Sequence, residues 1–242
     1  MNLKIAFLNR EKELDRIDRA LHEKGTAFIV LYGRRRIGKS RLLQKAIDEK
    51  DIYYLADQRN TSLQIDSLSR EISRVIPGFS DAQYSSWDAI LSTLNARVLN
   101  KLTVVIDEFP YLVQVSPELP SILQNFIDKK TRINIILCGS SQRMMQGLVL
   151  DSTAPLYGRA DEIIKLNPLK PGWIPQTLGF SDIRSLEAYA VWGGIPRYWE
   201  LAKKFKNLNK SLKELVFDRN GVLHNEPSRL LTDNMKSIVQ AN

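Results

Sequence analysis

The chain has 242 residues, of which 43% are hydrophobic and 26% are charged, a composition that excludes an intrinsically disordered protein. The formal net charge of +8 suits a nucleic-acid partner or an acidic surface, but charge alone establishes neither. The single cysteine, Cys138, excludes an intrachain disulfide and a thiolate metal cluster, and its apolar neighbours predict a buried strand residue. Because the N-terminal stretch is charged early and no apolar run is long enough to cross a bilayer, we expect a cytoplasmic protein with no membrane partner.

Apolar runs of strand length alternate with segments of helical periodicity up to residue 166. The apolar runs predict strands at 27–32, 52–56, 102–108, 133–139 and 162–166. The helical patterns lie at 39–50, 62–76, 86–99, 117–130 and 141–149. Buried strands interleaved with helices are typical of a mainly parallel sheet covered on both faces, so we expect an α/β fold.

A segment rich in proline and glycine, NPLKPGWIPQTLGF (167–180), separates this pattern from the C-terminal part of the chain. Helical patterns return at 182–192, 196–205 and 208–217. We therefore predict two domains. A core covers residues 1–166, and a small helical domain with the start of a C-terminal linker covers 167–242.

The segment GRRRIGKS (33–40) follows the first predicted strand and opens a predicted helix, which is the context that a phosphate-binding loop requires. Its glycines allow the backbone to wrap tightly, so that N–H groups and the helix N-terminus face a β-phosphate. Lys39 is expected to reach the β- and γ-phosphates, and the Ser40 hydroxyl to ligate Mg²⁺. The candidate nucleotide-binding residues of this loop are Gly33, Arg34, Arg35, Arg36, Ile37, Gly38, Lys39, Ser40 and Arg41.

Three consecutive arginines, Arg34, Arg35 and Arg36, lie within this loop. In such a loop the backbone holds the phosphates, and the variable side chains mostly point away from them. We therefore expect the arginines to meet a neighbouring domain, a partner subunit or DNA. A solvated cationic rim is the alternative.

The strand predicted at 102–108 ends in two adjacent carboxylates, Asp107 and Glu108. Such a pair, following a phosphate loop, has two distinct roles in nucleotide hydrolysis. Asp107 would hold the hydration shell of Mg²⁺, and Glu108 would orient and polarise the attacking water.

Two further positions are candidates for the catalytic machinery. Ser140 or Ser141, after the strand at 133–139, would touch the γ-phosphate or the lytic water; a helix N-cap is the alternative role. Arg159 precedes the last predicted strand, where such cores present an arginine to a phosphate, commonly across a subunit interface. The alternative for Arg159 is a surface arginine.

Together these segments resemble the archaeal-type ATPases of the AAA+/STAND branch of P-loop NTPases, from about Phe7 to Leu231. The arginine triplet of YGRRRIGKS is a hallmark of that family's phosphate loop, and VIDEF, LYGR and WGGIPRYWE match further segments of the family. The resemblance implies an AAA+-type P-loop core followed by a helical lid, with ATP and Mg²⁺ as cofactors.

The resemblance also implies roles outside the phosphate loop. FLNREKEL is similar to a family segment on the adenine side of the nucleotide, which places Arg10 and Glu11 near the base; an ordinary helix start with Asn9 as its N-cap is the alternative. Pro196, in the Gly-Gly-x-Pro of the lid, would pack toward the nucleotide, but it also fits the first position of a helix. NEPSRLL resembles a linker that precedes winged-helix and nuclease-like domains in longer members. Because the sequence ends soon afterwards at Asn242, DNA-directed activity is not carried over.

The expected function is that of an ATP-binding, Mg²⁺-dependent ATPase of AAA+/STAND type, whose nucleotide state controls a partner or an appended domain. Slow basal turnover is expected, because an arginine supplied in trans contributes a large rate factor that a monomer lacks. The alternatives are a non-hydrolysing nucleotide switch and a DNA-associated module that the ATPase regulates. Besides ATP and ADP, the sequence leaves open a second copy of the chain, another protein or a nucleic acid as the partner. The choice of ATP over GTP rests on the resemblance.

Overall fold

The computed structural model describes residues 5–129 and 131–231, which form two compact units. Among the described residues, one unit lies within Arg10–Asn167, and the other combines residues 5–9 with residues 168–231. The N-terminal residues belong to the second unit because Ile5 lies in its buried cluster, together with Leu169 and Ile174. The sequence-based division places these residues in the core instead, because so short a segment has no periodicity that reveals its packing.

The larger unit is built on a five-stranded sheet with the order β2-β3-β4-β1-β5, and all of its strand pairs are parallel. Its strands are β1 (Phe28–Tyr32), β2 (Ile52–Leu55), β3 (Leu102–Asp107), β4 (Ile133–Gly139) and β5 (Glu162–Lys165). Every residue of β1, β3 and β4 is buried, which explains why they appear in the sequence as continuous apolar runs. The predicted α/β fold is confirmed, and Cys138 lies buried in β4 as expected.

Helices connect these strands. In the part of the unit that the structure describes they are α1 (Glu11–His22), α2 (Lys39–Ala46), α3 (Thr61–Ser73), α4 (Trp87–Arg97), α5 (Phe109–Val115), α6 (Leu119–Ile127) and α7 (Gln142–Val149). The five predicted helices correspond to α2, α3, α4, α6 and α7, with ends that differ by a few residues. Three of them begin at side-chain caps, because Asn60 at the start of α3, Ser86 at the start of α4 and Ser141 at the start of α7 each accept a hydrogen bond from a backbone N–H of the first turn.

The sequence patterns do not identify α5, and they offer α1 only through the alternative in which FLNREKEL is an ordinary helix start. Helix α5 is short and has Pro110 in its first turn, where a missing N–H has no consequence for the helix. Helix α1 has Arg10 as its N-cap residue, without a side-chain cap hydrogen bond. The alternative in which Asn9 caps this helix is therefore wrong, and Asn9 instead adopts a left-handed backbone conformation with φ of 52°.

The second unit is helical, as its sequence patterns indicate. Its helices include α8 (Ile174–Leu178), α9 (Asp182–Trp192), α10 (Pro196–Ala202) and α11 (Leu208–Leu212), and α11 continues into a π-helical turn, Lys213–Phe217. Residues 226–231 are helical as well. Two tryptophans, Trp192 and Trp199, lie in its hydrophobic cluster. Within the described residues of the chain, no helix is long and apolar enough to cross a membrane.

Candidate functional site

The candidate site lies at the edge of the sheet where β1, β3 and β4 end. Strand β4 lies between the other two, with Tyr32 opposite Gly139 and Ile106 opposite Leu137. Because the carboxyl ends of parallel strands meet at one edge, the loop after β1, the two carboxylates at the end of β3 and the serines after β4 come together there.

The predicted phosphate loop connects β1 to α2, and its two glycines are required by the backbone path. Gly38 has a φ of 100°, in the left-handed region that glycine tolerates best, and it is the N-cap residue of α2. Gly33 approaches Leu166 so closely that an added Cβ would lie 2.6 Å from the carbonyl oxygen of Leu166. The glycine spacing that suggests a phosphate site therefore also has a local structural cause.

Lys39 is the first residue of α2 and is only 5% exposed. Its ammonium group donates hydrogen bonds to the carbonyl oxygens of Gly33 and Arg34, at 3.0 and 3.1 Å, and to the hydroxyl of Ser140, at 2.8 Å. An ammonium group has three donors, so these acceptors satisfy it. The lysine is thus held between the start of the loop and the end of β4.

Asp107 ends β3 and is 1% exposed. Its Oδ2 accepts a hydrogen bond from the hydroxyl of Ser40 at 2.6 Å, and its Oδ1 accepts one from the backbone N–H of Glu108 at 2.9 Å. The two residues that the sequence assigns to the metal are therefore in direct contact.

Glu108 has left-handed backbone geometry, with φ of 55°, between β3 and α5. Its carboxylate accepts hydrogen bonds from both donors of Ser140, the backbone N–H at 3.2 Å and the side-chain hydroxyl. Ser141 instead caps α7 by accepting from the N–H of Met144. The structure thus separates two serines that the sequence does not distinguish, because Ser140 contacts Lys39 and Glu108 while Ser141 serves as the helix cap.

Arg10 is a buried arginine that connects the phosphate loop to the segment after β5. Its guanidinium donates to the carbonyl oxygens of Ile37, at 3.3 Å, and Asn167, at 2.8 Å, and pairs with Glu13 at 3.3 Å. Burial lowers the pKa of Arg10, and the carboxylate of Glu13 opposes this shift. Glu11, the other residue predicted near the base, is an exposed first residue of α1. The base contact of both residues stays a prediction.

The three loop arginines are all exposed. Arg35 donates to the hydroxyl of Tyr111 on α5, at 2.8 Å. Ile37 beside them is buried, and Arg41 on α2 is partly buried. The exposure is consistent with side chains that point out of the loop, but their position relative to a bound phosphate stays a prediction.

Arg159 and Pro196 are the remaining predicted site residues. Arg159 precedes β5, so it lies where the parallel strands begin, whereas the phosphate loop lies where they end. Its guanidinium group makes two hydrogen bonds of 2.9 Å to the carboxylate of Asp128. The hydrogen bond from Arg159 lowers the pKa of the Asp128 carboxyl group. Pro196 lies in the helical unit as the first residue of α10. The phosphate role of Arg159 and the nucleotide contact of Pro196 stay predictions.

The oxygens at this site fit the cation that the sequence implies. Magnesium prefers oxygen ligands and usually keeps several waters, with one or two carboxylates and phosphate oxygens completing its shell. The hydroxyl of Ser40 and the carboxylate of Asp107 supply protein oxygens of that kind side by side. Among the described residues there is no group of three or more His, Cys, Asp or Glu side chains that would form an all-protein metal cage.

One residue of this site is missed by the sequence analysis. Tyr53, in β2, donates its hydroxyl to the same Oδ2 of Asp107 at 2.5 Å. Strand order is the signal that identifies it, because β2 pairs with β3 and this pairing is not visible in the sequence alone.

The sequence profile of a family described as "ATPase domain predominantly from Archaea" matches residues 7–202. The chain belongs to this family. The resemblance to archaeal-type ATPases is therefore confirmed. Among known proteins, the uncharacterized protein MJECL04 of Methanocaldococcus jannaschii is 34% identical over 216 residues, which cover 86% of this chain and 47% of that protein. The chain thus spans about half the length of this relative.

Two solved structures share the fold. The Walker-type ATPase PABY2304 of Pyrococcus abyssi has a TM-score of 0.71 and 19% identity, and the match covers 95% of this chain and 77% of that chain. The ORC2 protein of Aeropyrum pernix, solved as ADPNP–ADP complexes, has a TM-score of 0.59 and 18% identity over 84% of this chain and 63% of that chain. These similarities establish a P-loop ATPase fold for the archaeal ATPase-family domain.

Proposed function

We propose that the chain binds ATP and hydrolyses it with the help of Mg²⁺, and that its nucleotide state controls a partner or an appended domain. The observation that carries this proposal is the convergence of Lys39, Ser40, Asp107, Glu108 and Ser140 at one edge of the sheet. Membership of an archaeal ATPase family supports the same activity.

Binding of the triphosphate would rest on the loop backbone and on Lys39. The first turn of α2 offers N–H groups that have no partner inside the helix, and the helix N-terminus favours an anion. Lys39 would exchange carbonyl acceptors of Gly33 and Arg34 for phosphate oxygens. This exchange is favourable because hydrogen bonds between two charged groups are stronger than those to neutral carbonyls.

Ser40 and Asp107 would hold the cation, Ser40 through its hydroxyl oxygen and Asp107 through water molecules. When bound, Mg²⁺ supplies neutralisation of charge on the β- and γ-phosphate oxygens. The buried carboxylate of Asp107 supplies a negative charge next to the hydroxyl of Ser40, which is an exposed residue.

Glu108 is the proposed residue that orients the attacking water and polarises it. Ser140 donates its hydroxyl hydrogen to Glu108 and accepts a hydrogen bond from Lys39. This serine therefore links the carboxylate that faces the water to the ammonium group that faces the phosphates. A change in the phosphates would reach Glu108 through this contact.

A non-hydrolysing nucleotide switch is the second candidate. Both oxygens of the Glu108 carboxylate accept from Ser140 in the described structure, so the carboxylate is held toward this serine and an attacking water has to use its remaining lone pairs. Turnover would be absent if that orientation does not suit the water. Measured phosphate release decides between the two candidates.

The purified protein is expected to bind ATP and to release phosphate slowly when Mg²⁺ is present. Slow turnover is expected because Arg159 lies where the strands begin, away from the phosphate loop of its own chain. An arginine supplied by a partner contributes a rate factor of about 10³–10⁵, which a single chain lacks. Calorimetric titration with ATP and with GTP, with and without Mg²⁺, alongside a phosphate-release assay, provides the test. ATP binding without phosphate release favours the switch, and failure to bind either nucleotide contradicts both candidates.

Changing Arg34, Arg35 and Arg36 together to glutamine is expected to weaken ATP binding by less than about tenfold at moderate salt. The physical reason is that the phosphate-facing groups of the loop are backbone N–H groups, whereas these side chains are exposed. We propose that they contact the helical unit, another subunit or a nucleic acid. Calorimetry with ATP measures the affinity, and gel-filtration and DNA-binding assays measure the lost contact.

A matched control removes the same charge elsewhere on the surface. Arg59, Arg70 and Arg74 are exposed residues on or next to α3, and their triple change to glutamine should leave ATP affinity, assembly and DNA binding unaltered. A nucleotide-bound structure with two or more loop guanidinium groups on phosphate oxygens would contradict the prediction for the loop.

A further inference from the structure

The carboxylate of Asp107 is surrounded by donors from several different elements. Its Oδ2 accepts from the hydroxyl of Tyr53 at 2.5 Å and from the hydroxyl of Ser40 at 2.6 Å, and its Oδ1 accepts from the N–H of Glu108 at 2.9 Å. A carboxylate that is 1% exposed requires such donors, because an unpaired buried charge is strongly unfavourable. The arrangement therefore fixes the direction in which each oxygen points.

The donors differ in how rigidly they are held. Ser40 lies in the first turn of α2, at the end of the phosphate loop, and it is exposed. Tyr53 lies within β2, which pairs with β3 so that Tyr54 is opposite Ile106 and Leu55 is opposite Asp107. Of the two hydroxyl groups on Oδ2, only that of Tyr53 is anchored in the sheet. The terminal torsion of an aspartate side chain is soft, so an anchor on each oxygen decides its orientation.

Toward the Asp107 carboxylate, the hydroxyl of Tyr53 acts as the donor, because an ionised carboxylate offers only acceptor oxygens. A phenol also carries no charge of its own at neutral pH. A neutral donor orients the carboxylate without cancelling the charge that a cation needs. A lysine at this position would orient the carboxylate but would also neutralise it.

We propose that Tyr53 is a positioning residue for the cation: its hydroxyl fixes the Asp107 carboxylate in the orientation from which Asp107 and Ser40 hold Mg²⁺ together. This inference rests on the proposed function, because it concerns the cation that accompanies the nucleotide. It assigns to β2 a part in cation binding that the phosphate loop and the two carboxylates after β3 do not reveal.

The chain offers a matched control at the next position. Tyr54 is also a tyrosine of β2, and its hydroxyl donates to the backbone oxygen of Gln64 at 3.2 Å and to the side-chain oxygen of the same residue. Neighbouring residues of a strand face opposite sides of the sheet, so Tyr54 is directed away from Asp107. Tyr54→Phe removes the same atom from the same strand, and any general loosening of β2 appears in both variants.

The test compares ATP affinity in the presence of Mg²⁺ with ATP affinity in EDTA, measured by calorimetry on the full chain. Tyr53→Phe is expected to lower the affinity about three- to tenfold in Mg²⁺, because a carboxylate loses one charge-assisted hydrogen bond, and to leave the affinity in EDTA unchanged. Tyr54→Phe should change neither value. Where phosphate release is measurable, the Mg²⁺ concentration for half-maximal rate should rise by the same factor for Tyr53→Phe alone.

A double-mutant cycle asks whether Tyr53 acts through Asp107. If it does, Tyr53→Phe should have no further effect on the Mg²⁺-dependent affinity once Asp107→Asn is present, because the two residues act as a unit. Equal losses in Mg²⁺ and in EDTA, additive effects in the cycle, or the same affinity ratio as the wild type would each overturn the inference. If the wild type binds ATP equally well with and without Mg²⁺, the inference about Tyr53 is overturned but nucleotide binding stands. If the wild type binds no nucleotide, both the inference and the proposed function are overturned.

Discussion

Replacing Glu108 by glutamine is expected to leave ATP binding intact and to lower the rate of phosphate release about a hundredfold or more. Glutamine keeps the shape of the side chain but cannot accept a proton from the attacking water. ATP affinity by calorimetry and phosphate release under single-turnover conditions give the two quantities separately.

The local structure explains why the variant should keep its fold. In the wild type the two oxygens of Glu108 accept from the N–H and from the hydroxyl of Ser140. A glutamine oxygen can keep the bond from the N–H, and the hydroxyl of Ser140 can rotate to accept from the glutamine amide, since a hydroxyl is both donor and acceptor. That hydroxyl also accepts from Lys39, and its two lone pairs allow both bonds.

Glu118 provides the control for this substitution. It is an exposed glutamate at the start of α6, ten positions after Glu108, and Glu118→Gln should not change turnover. A Glu108→Gln variant that hydrolyses ATP at the wild-type rate would show that Glu108 has no catalytic role. A wild type without any phosphate release would favour the non-hydrolysing switch.

The fold can be predicted from the sequence because its central strands are buried on both faces. β1, β3 and β4 are largely apolar runs that end at glycine or acidic residues, and their predicted bounds differ from the structure by no more than a residue at each end. Helices are harder to delimit because their ends depend on caps and local contacts. Helix α5 follows directly on Glu108 and begins with a proline in its first turn, so no separate periodic segment marks it.

The candidate site can be predicted only where one stretch of sequence carries the signal. The phosphate loop and the pair Asp107 and Glu108 each form a short motif that the sequence alone reveals. Tyr53 and Tyr54 look alike in the sequence, and only the pairing of β2 with β3 shows which of them reaches Asp107. The choice between Ser140 and Ser141 also requires the structure, because both follow the same strand and differ only in where their side chains bond.

Arg10 illustrates a contact that no local pattern encodes. It donates to Asn167, which lies 157 positions away, and to Ile37 inside the phosphate loop. The family resemblance marks Arg10 as a site residue, and the structure adds that its charged group supports the loop backbone. Because this buried arginine donates to a carbonyl group in each segment, it holds the phosphate loop against the segment that follows β5.

Lys39→Ala is expected to lower ATP affinity at least tenfold, which corresponds to about 1.4 kcal/mol of binding free energy. The substitution removes the ammonium group that would otherwise follow the β- and γ-phosphates. It also removes the donor to Gly33, Arg34 and Ser140, so the loop without nucleotide is altered as well. The comparison is therefore best made as the stabilisation that ATP adds to each variant, measured from the melting temperature of that variant without nucleotide.

At an ATP concentration near one hundred times the wild-type Kd, ligand binding stabilises the folded chain by about 2.7 kcal/mol, and a tenfold weaker site loses about half of this. For a chain of this length the loss corresponds to a thermal shift that is smaller by roughly 3–5 °C. Lys45→Ala is the control, because Lys45 is an exposed residue in the last turn of the same helix and carries the same charge. An ATP-induced shift in Lys39→Ala equal to that of the wild type would mean that the loop from Gly33 to Ser40 is not the nucleotide site, and the assignments of Ser40, Asp107 and Glu108 that depend on it would fall with it.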